Sequence, residues 1–375
     1  MVLACVGVLS YPSLLRAGLV PYLGEGEAPL ATLDCSRTGA SGQSGGVAVF
    51  SPDRKLLVSE NGAAICLWDV STWRLVATWQ SAPGQGNAVS AVAFSPDGRR
   101  LATGDHGGRV TLWDVSTRTV RAQLSTPSLR DPRPGDIPQV IGLMFGADGV
   151  GLAEYVGIRN DAHTDVPYVA TGLLWWDTAA GRVTSSAQFG GGEVLAFSPD
   201  GKVLAEGDPS ENTGLWDRDG NFIRMYFGPK PSGGLSYVGG VNGVRFSPDS
   251  TRLAVTESTT PGWLSSLSDG NSIIVFHVST VRAGFDDSMD LVARVLNAPS
   301  CLLTGAPEFS PDGQTLAAAS DQKTVYLWDL ATGNIRAALS PPTSAPSITA
   351  PSFSPDNKTV ASEDPTGRTY VWAAP

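Results

Sequence analysis

Histidine is scarce, with three in 375 residues (His106, His163 and His277). So few imidazoles leave little material for a Ser-His-Asp triad or a His-rich metal centre. No Gly-x-Ser-x-Gly, Gly-Lys-Ser phosphate loop or His-Glu-x-x-His segment occurs. The tandem glycines Gly190-Gly191-Gly192 precede a strand pattern, so they lack the helix terminus that would bind phosphate. Lysine is also rare, the formal net charge is −10, and no basic stripe runs along the chain. Binding to nucleic acid requires such a stripe, so that class is excluded. The four cysteines form no Cys-x-x-Cys pair and no metal-ligand spacing. No apolar run is long enough to span a bilayer. The sequence therefore names no catalytic, cofactor-binding or metal-binding residue, and the expectation is a protein that is not an enzyme.

Glycine and proline, by contrast, are abundant, at 43 and 27 residues, and they fall at regular intervals. The segment Ala91–Val115 shows the unit. An apolar run ends in Phe94, followed by Ser95-Pro96-Asp97-Gly98, whose residue types set up a tight turn. A second strand, a Gly-rich turn and a third strand follow, ending in Trp113-Asp114. The Phe-Ser-Pro-Asp turn recurs at Phe50, Phe94, Phe197, Phe246, Phe309 and Phe353, with a worn seventh copy at Phe145-Gly146-Ala147-Asp148. The partner aromatics are Trp68, Trp113, Trp176, Trp216, Phe276, Trp328 and Trp372, five of them followed by Asp; His277 and Ala373 are the exceptions. The interval from Phe to aromatic is 18 or 19 residues except in the third and fifth copies, which carry insertions. Fixed-period self-similarity of this kind marks a repeat architecture.

These motifs resemble the WD-repeat β-propeller family over residues 28–375. The resemblance implies an all-β fold: a seven-bladed propeller of four-stranded antiparallel blades around a central channel. It departs from the family pattern in one respect. No histidine here follows a glycine, and the position six before the Trp reads Gly62, Gly107, Ser210, Gln322 and Thr366 in the uninserted copies. The polar tetrad that joins a Gly-His and a turn Asp to the Trp is therefore expected to be missing. The channel is expected to be lined by apolar and small residues, which leaves a channel-site propeller enzyme as the weaker alternative.

The last copy is one strand short, since only Ala373, Ala374 and Pro375 follow Trp372. Elsewhere an apolar-alternating segment comes after the Trp-Asp. The candidate Ala28–Asp34 supplies the missing outer strand, so an N-terminal strand closes the ring and shields a sheet edge. Residues 1–27 stand apart as an N-terminal apolar tail or the remnant of a membrane segment. Cys66 falls inside a strand, where a small buried thiol is expected. Cys35 and Cys301 both precede first strands but in non-adjacent blades, which argues against a bridge between them and leaves the redox compartment open.

In the family topology, loops between second and third strands share a face with the linkers between blades. Insertions Gly157–Ala170 and Ser258–Asn271 are of the first kind. Linkers Ser125–Gln139, Gly228–Gly240 and Ser340–Ser347 are of the second, whereas Ser279–Met289 falls on the opposite face. The decorated face gathers Arg130, Arg133, Arg159, Tyr168, Lys230, Tyr237 and Trp263, a mixture of cations and aromatics enriched in interfaces. Trp263 reads either as an exposed anchor or as a plug folded back on the propeller. The stretch Arg159–Asp165 sets two carboxylates around His163, too few ligands for a metal, and reads as a solvated loop. The function expected is a scaffold binding a protein or peptide partner on that face, with a monomeric propeller and no cofactor. The alternative is an extracytoplasmic sensor or ligand-binding module of a membrane-anchored protein. Arg outnumbers Lys 21 to 5 and Ala and Gly are common, which points to a GC-rich, bacterial source. Of the two compartments, the cytoplasm is the one expected.

Overall fold

The computed structural model describes residues 28–35, 47–80, 88–127, 135–160, 170–189, 194–207, 212–217, 219–227, 238–260, 271–279, 292–298, 303–342 and 344–375. They form seven antiparallel sheets of four strands each. First strands of neighbouring blades touch one another, which places them at the axis and the fourth strands at the rim. Six blades are built from consecutive strands. The seventh takes its fourth strand, Ala31–Asp34, from the other end of the chain, paired with Arg368–Ala373 in the register Ala31↔Val371 to Asp34↔Arg368. The expected N-terminal closure is thus present. Residues 1–27 lie outside the described residues.

The repeated residues explain the repeated geometry. In the Ser-Pro-Asp turn, the Ser51 hydroxyl donates to Asp53 Oδ1 and accepts from the Leu56 N–H at 2.9 Å. The same pair of bonds recurs at Ser95, Ser198, Ser247, Ser310 and Ser354. Gly146 has no hydroxyl, and there Asp148 Oδ1 alone caps the Val150 and Gly151 N–H groups. The turn needs one residue in the left-handed region; Gly98, at φ 68°, meets it without steric cost. The Asp of Trp-Asp has its own task, capping the turn into the outer strand. Asp114 accepts from the Thr117 N–H and the Ser116 hydroxyl, and these bonds hold its carboxyl down to about 2. Where the outer strand pairs with the Trp strand, the register slips at the residue before the aromatic in blades one to six, whereas in blade seven the pairing ends at Val371, before the aromatic is reached.

Each blade presses a Phe and an aromatic into the seams between blades. Trp79 of blade one stacks on Trp113 of blade two, centroids 4.8 Å apart. Arg100 and Arg252 clamp two of the seams from below. Arg252 lies over the Phe309 ring of the next blade and donates to the Gly313 carbonyl at 2.7 Å; Arg100 does the same with Phe145 and Gly149.

Two cysteines are placed differently from the sequence expectation. Cys66 is not a free buried thiol: it is disulfide-bonded to Cys35, with Cα atoms 6.0 Å apart. Cys35 follows directly on the closing strand, so closure itself carries it from blade seven to the seam with blade one. Cys301 lies outside the described residues.

Candidate functional site

The first strand of every blade ends at its Phe and turn, so the hairpins between second and third strands, and the linkers between blades, start from the opposite end. At that end the blades are unequal. The first two strands of blade three, Asp136–Phe145 and Gly151–Asn160, run ten residues each. Those of blade five, Val238–Phe246 and Arg252–Thr260, run nine. Blade four between them has strands of four and five residues, Val194–Phe197 and Val203–Gly207. Two tall blades therefore flank a short one.

This revises the reading of the insertions. They are not loops throughout, because their flanks extend the ladder: Gly157 pairs with Gln139 and Thr171, and Ser258 with Gly240 and Asn271. The ends of the linkers, Asp136–Gln139 and Val238–Gly240, are strand as well. The signal was available in Ile158, apolar and buried past the six-residue length of the second strands in blades one, two and six.

Of the residues expected to bind a partner, Arg159 is described. It is exposed, next to the end of blade three's second strand, opposite Ile137, which is exposed as well. Arg130, Arg133, Tyr168, Lys230, Tyr237 and Trp263 lie outside the described residues, as does His163. The segments bearing Tyr168 and Trp263 leave and rejoin the tall hairpins, at Asn160 and Ala170 and at Thr260 and Asn271.

The polar tetrad is replaced rather than simply lost. Two residues beyond the one paired with the Trp stand Ser59, Thr103 and Glu154 in blades one to three. The indole N–H of Trp68 donates to Ser59 Oγ at 2.9 Å and that of Trp113 to Thr103 Oγ1 at 3.0 Å. Trp176 donates to Glu154, which also accepts from the Thr126 hydroxyl after blade two's outer strand. Burial pushes the Glu154 carboxyl up to about 7, against the lowering effect of both bonds. In blades six and seven the indoles of Trp328 and Trp372 reach back to the carbonyls of Asn297 and Ser340 in the preceding blade.

Among the described residues, the inner strands depart from the apolar lining expected at an ion pair. Just before the Phe stand Val49, Ala93, Met144, Ala196, Arg245, Glu308 and Ser352. Arg245 Nε meets Glu308 Oε2 at 2.6 Å, an ion pair across blades five and six whose cation is half exposed. Burial raises the Glu308 carboxyl despite the Arg245 charge. No group of three or more His, Cys, Asp or Glu among the described residues is placed to hold a metal ion.

A family model described as WD domain, G-beta repeat matches residues 73–114 and 296–329. The matches begin just before or within the outer strand of one blade and end at the Trp-Asp of the next. No curated protein sequence matches the chain. Among solved structures, the β-propeller domain of Cps50 (Swd1) from Myceliophteria thermophila superposes with a TM-score of 0.66 at 16% identity. The alignment covers 92% of this chain and 99% of that one, a likeness of fold.

Proposed function

Because this chain is a WD-repeat β-propeller, we propose that it acts as a non-enzymatic platform holding a protein or peptide partner on the face from which blades three and five project. The unequal height of the blades carries this reading. Extending a hairpin past its neighbours sets exposed side chains such as Ile137 and Arg159 above them, and such elaborations are where binding residues concentrate. Arg130, Arg133, Arg159, Tyr168, Lys230, Tyr237 and Trp263 are the proposed contacts, with Trp263 the anchor. Their cations offset the acidic body and would steer an acidic partner. The test is recovery of partners from an extract of the source cells by immobilised wild type and by a variant whose segments 161–169 and 261–270 are replaced by two-residue turns. Loss of specific partners at unchanged melting temperature supports the platform; identical recovery removes it.

One observation favours a second reading, an extracytoplasmic module. The buried Cys35–Cys66 disulfide belongs to an oxidising compartment. Trapping thiols in intact cells and mapping the peptides decides this. Cys35 and Cys66 recovered as a disulfide place the working protein outside the reducing cytosol, and alkylation of both as thiols places it inside.

A further inference from the structure

We infer that the Cys35–Cys66 disulfide is a thiol-sensitive latch on ring closure: when oxidised it tethers the closing strand to blade one and holds it ready to pair with blade seven, and when reduced it leaves that pairing the ring's weakest joint. Four features of that seam support this.

The closing strand is short. Outer strands elsewhere have five to eight residues and follow their Trp strand. Ala31–Asp34 has four residues, and Leu33 is its one fully buried side chain, while the adjacent Leu30 is 60% exposed. Its partner strand begins at Arg368, so an opened ring must close a loop of more than three hundred residues to regain the pairing.

The inner side of the same seam is equally thin. The first strands of blades one and seven, Val49–Phe50 and Ser352–Phe353, have two residues each, against four to ten in the other five blades. The inner ladders of the two blades that meet there are therefore the shortest in the ring.

The bridge fastens the closing strand to blade one at that junction. Cys35 follows the closing strand of blade seven and Cys66 lies in the third strand of blade one, Ala64–Asp69. Both are fully buried, in a cluster drawn from both blades: Leu33, Ala361 and Val371 from one side, and Phe50, Leu57 and Trp68 from the other. Because neither sulfur reaches solvent, attack by a thiol has to wait for the seam to open, so opening controls reduction and reduction then favours opening.

The chemistry is a two-electron exchange. A dithiol's thiolate attacks one sulfur, the Cys35–Cys66 bond breaks, and the departing sulfur takes a proton. The second thiol of the reagent then displaces the mixed disulfide, leaving two protein thiols and an oxidised, cyclic reagent.

The experiment is hydrogen exchange on the full chain with and without dithiothreitol, beside the double variant Cys35→Ser, Cys66→Ser, which excludes effects of Cys5 and Cys301. Peptide mass confirms the state of each cysteine. Reduction is expected to speed exchange in Ala31–Asp34 and Arg368–Ala373 about tenfold or more, with blade three's Ala170–Asp177 unchanged. The double variant should exchange like the reduced protein in either buffer. Unchanged protection in fully reduced wild type would overturn the latch, as would a dithiothreitol effect that persists in the double variant. Should that variant not fold, wild type reduced in stages still decides: closing-strand protection either falls in proportion to the Cys35 and Cys66 thiols or does not.

Discussion

Glu154, a buried carboxyl, gives this propeller's stability one component of its dependence on pH. Glu154 takes the place held by Ser59 and Thr103 in the two preceding blades, so a group able to ionise sits where a hydroxyl serves elsewhere. Its carboxyl is raised to about 7 from an ordinary 4.5, with burial the first cause. Between those values the folded chain keeps a proton that the unfolded chain has released. Stability therefore falls as pH rises from about 4.5 to 7 and levels off above that. A shift of that size corresponds to roughly 3 kcal/mol. Glu154→Gln keeps a donor and an acceptor without the charge, so the fall in its melting temperature between pH 4.5 and about 7 should be smaller than in wild type; a slope equal to wild type contradicts the assignment. The Glu was visible in the sequence, but its role was not. Its partner Thr126 belongs to another blade, and a search six residues before each Trp misses a position defined by strand pairing.

Seams between blades are where the repeated elements stabilise one another, and Arg252 gives a measurable case. Its guanidinium covers the Phe309 ring, centroid 5.6 Å away, and donates to Gly313 across the blade boundary. Losing a charged hydrogen bond and a cation–π contact should cost about 2 kcal/mol in Arg252→Ala, read as a lower denaturation midpoint at unchanged slope. Arg252→Lys should recover little, since an ammonium cannot lie flat on the ring and reach the carbonyl together. Full recovery by Lys would show that charge alone matters. At this scale the sequence was most legible: the Phe, Ser-Pro-Asp and Trp-Asp positions named every blade, because each has a local bond to make. It was least legible where a strand outgrows the period. Residues 157–160 and 258–260 read as insertions because spacing was counted from a fixed unit, and only Ile158 among them carried an apolar sign that the ladder continued.

Across the whole molecule, a ring of like units acquires two special places, the tall blades three and five and the seam where the chain ends meet. The first is the proposed binding face. Trp263→Ala and Arg159→Ala should weaken capture of a partner without altering melting, the Trp by about 2 kcal/mol or more. A Trp263→Ala variant that melts lower and binds normally would instead identify Trp263 as a plug against blade five. The second place is the seam, where a disulfide enclosing a 31-residue separation restricts the unfolded chain by about 3–4 kcal/mol. Neither the bridge nor its partner choice was readable from spacing. Cys35 meets Cys66 only because a strand from the beginning of the chain completes the last blade.

Calorimetric melting of three chains, 1–375, 28–375 and 37–375, tests that closure most directly. The first two should melt together in one cooperative transition. The third, without the closing strand and Cys35, should melt at least several degrees lower and over a broader range. Equal melting temperatures for 28–375 and 37–375 would contradict a ring closed by its N-terminal strand.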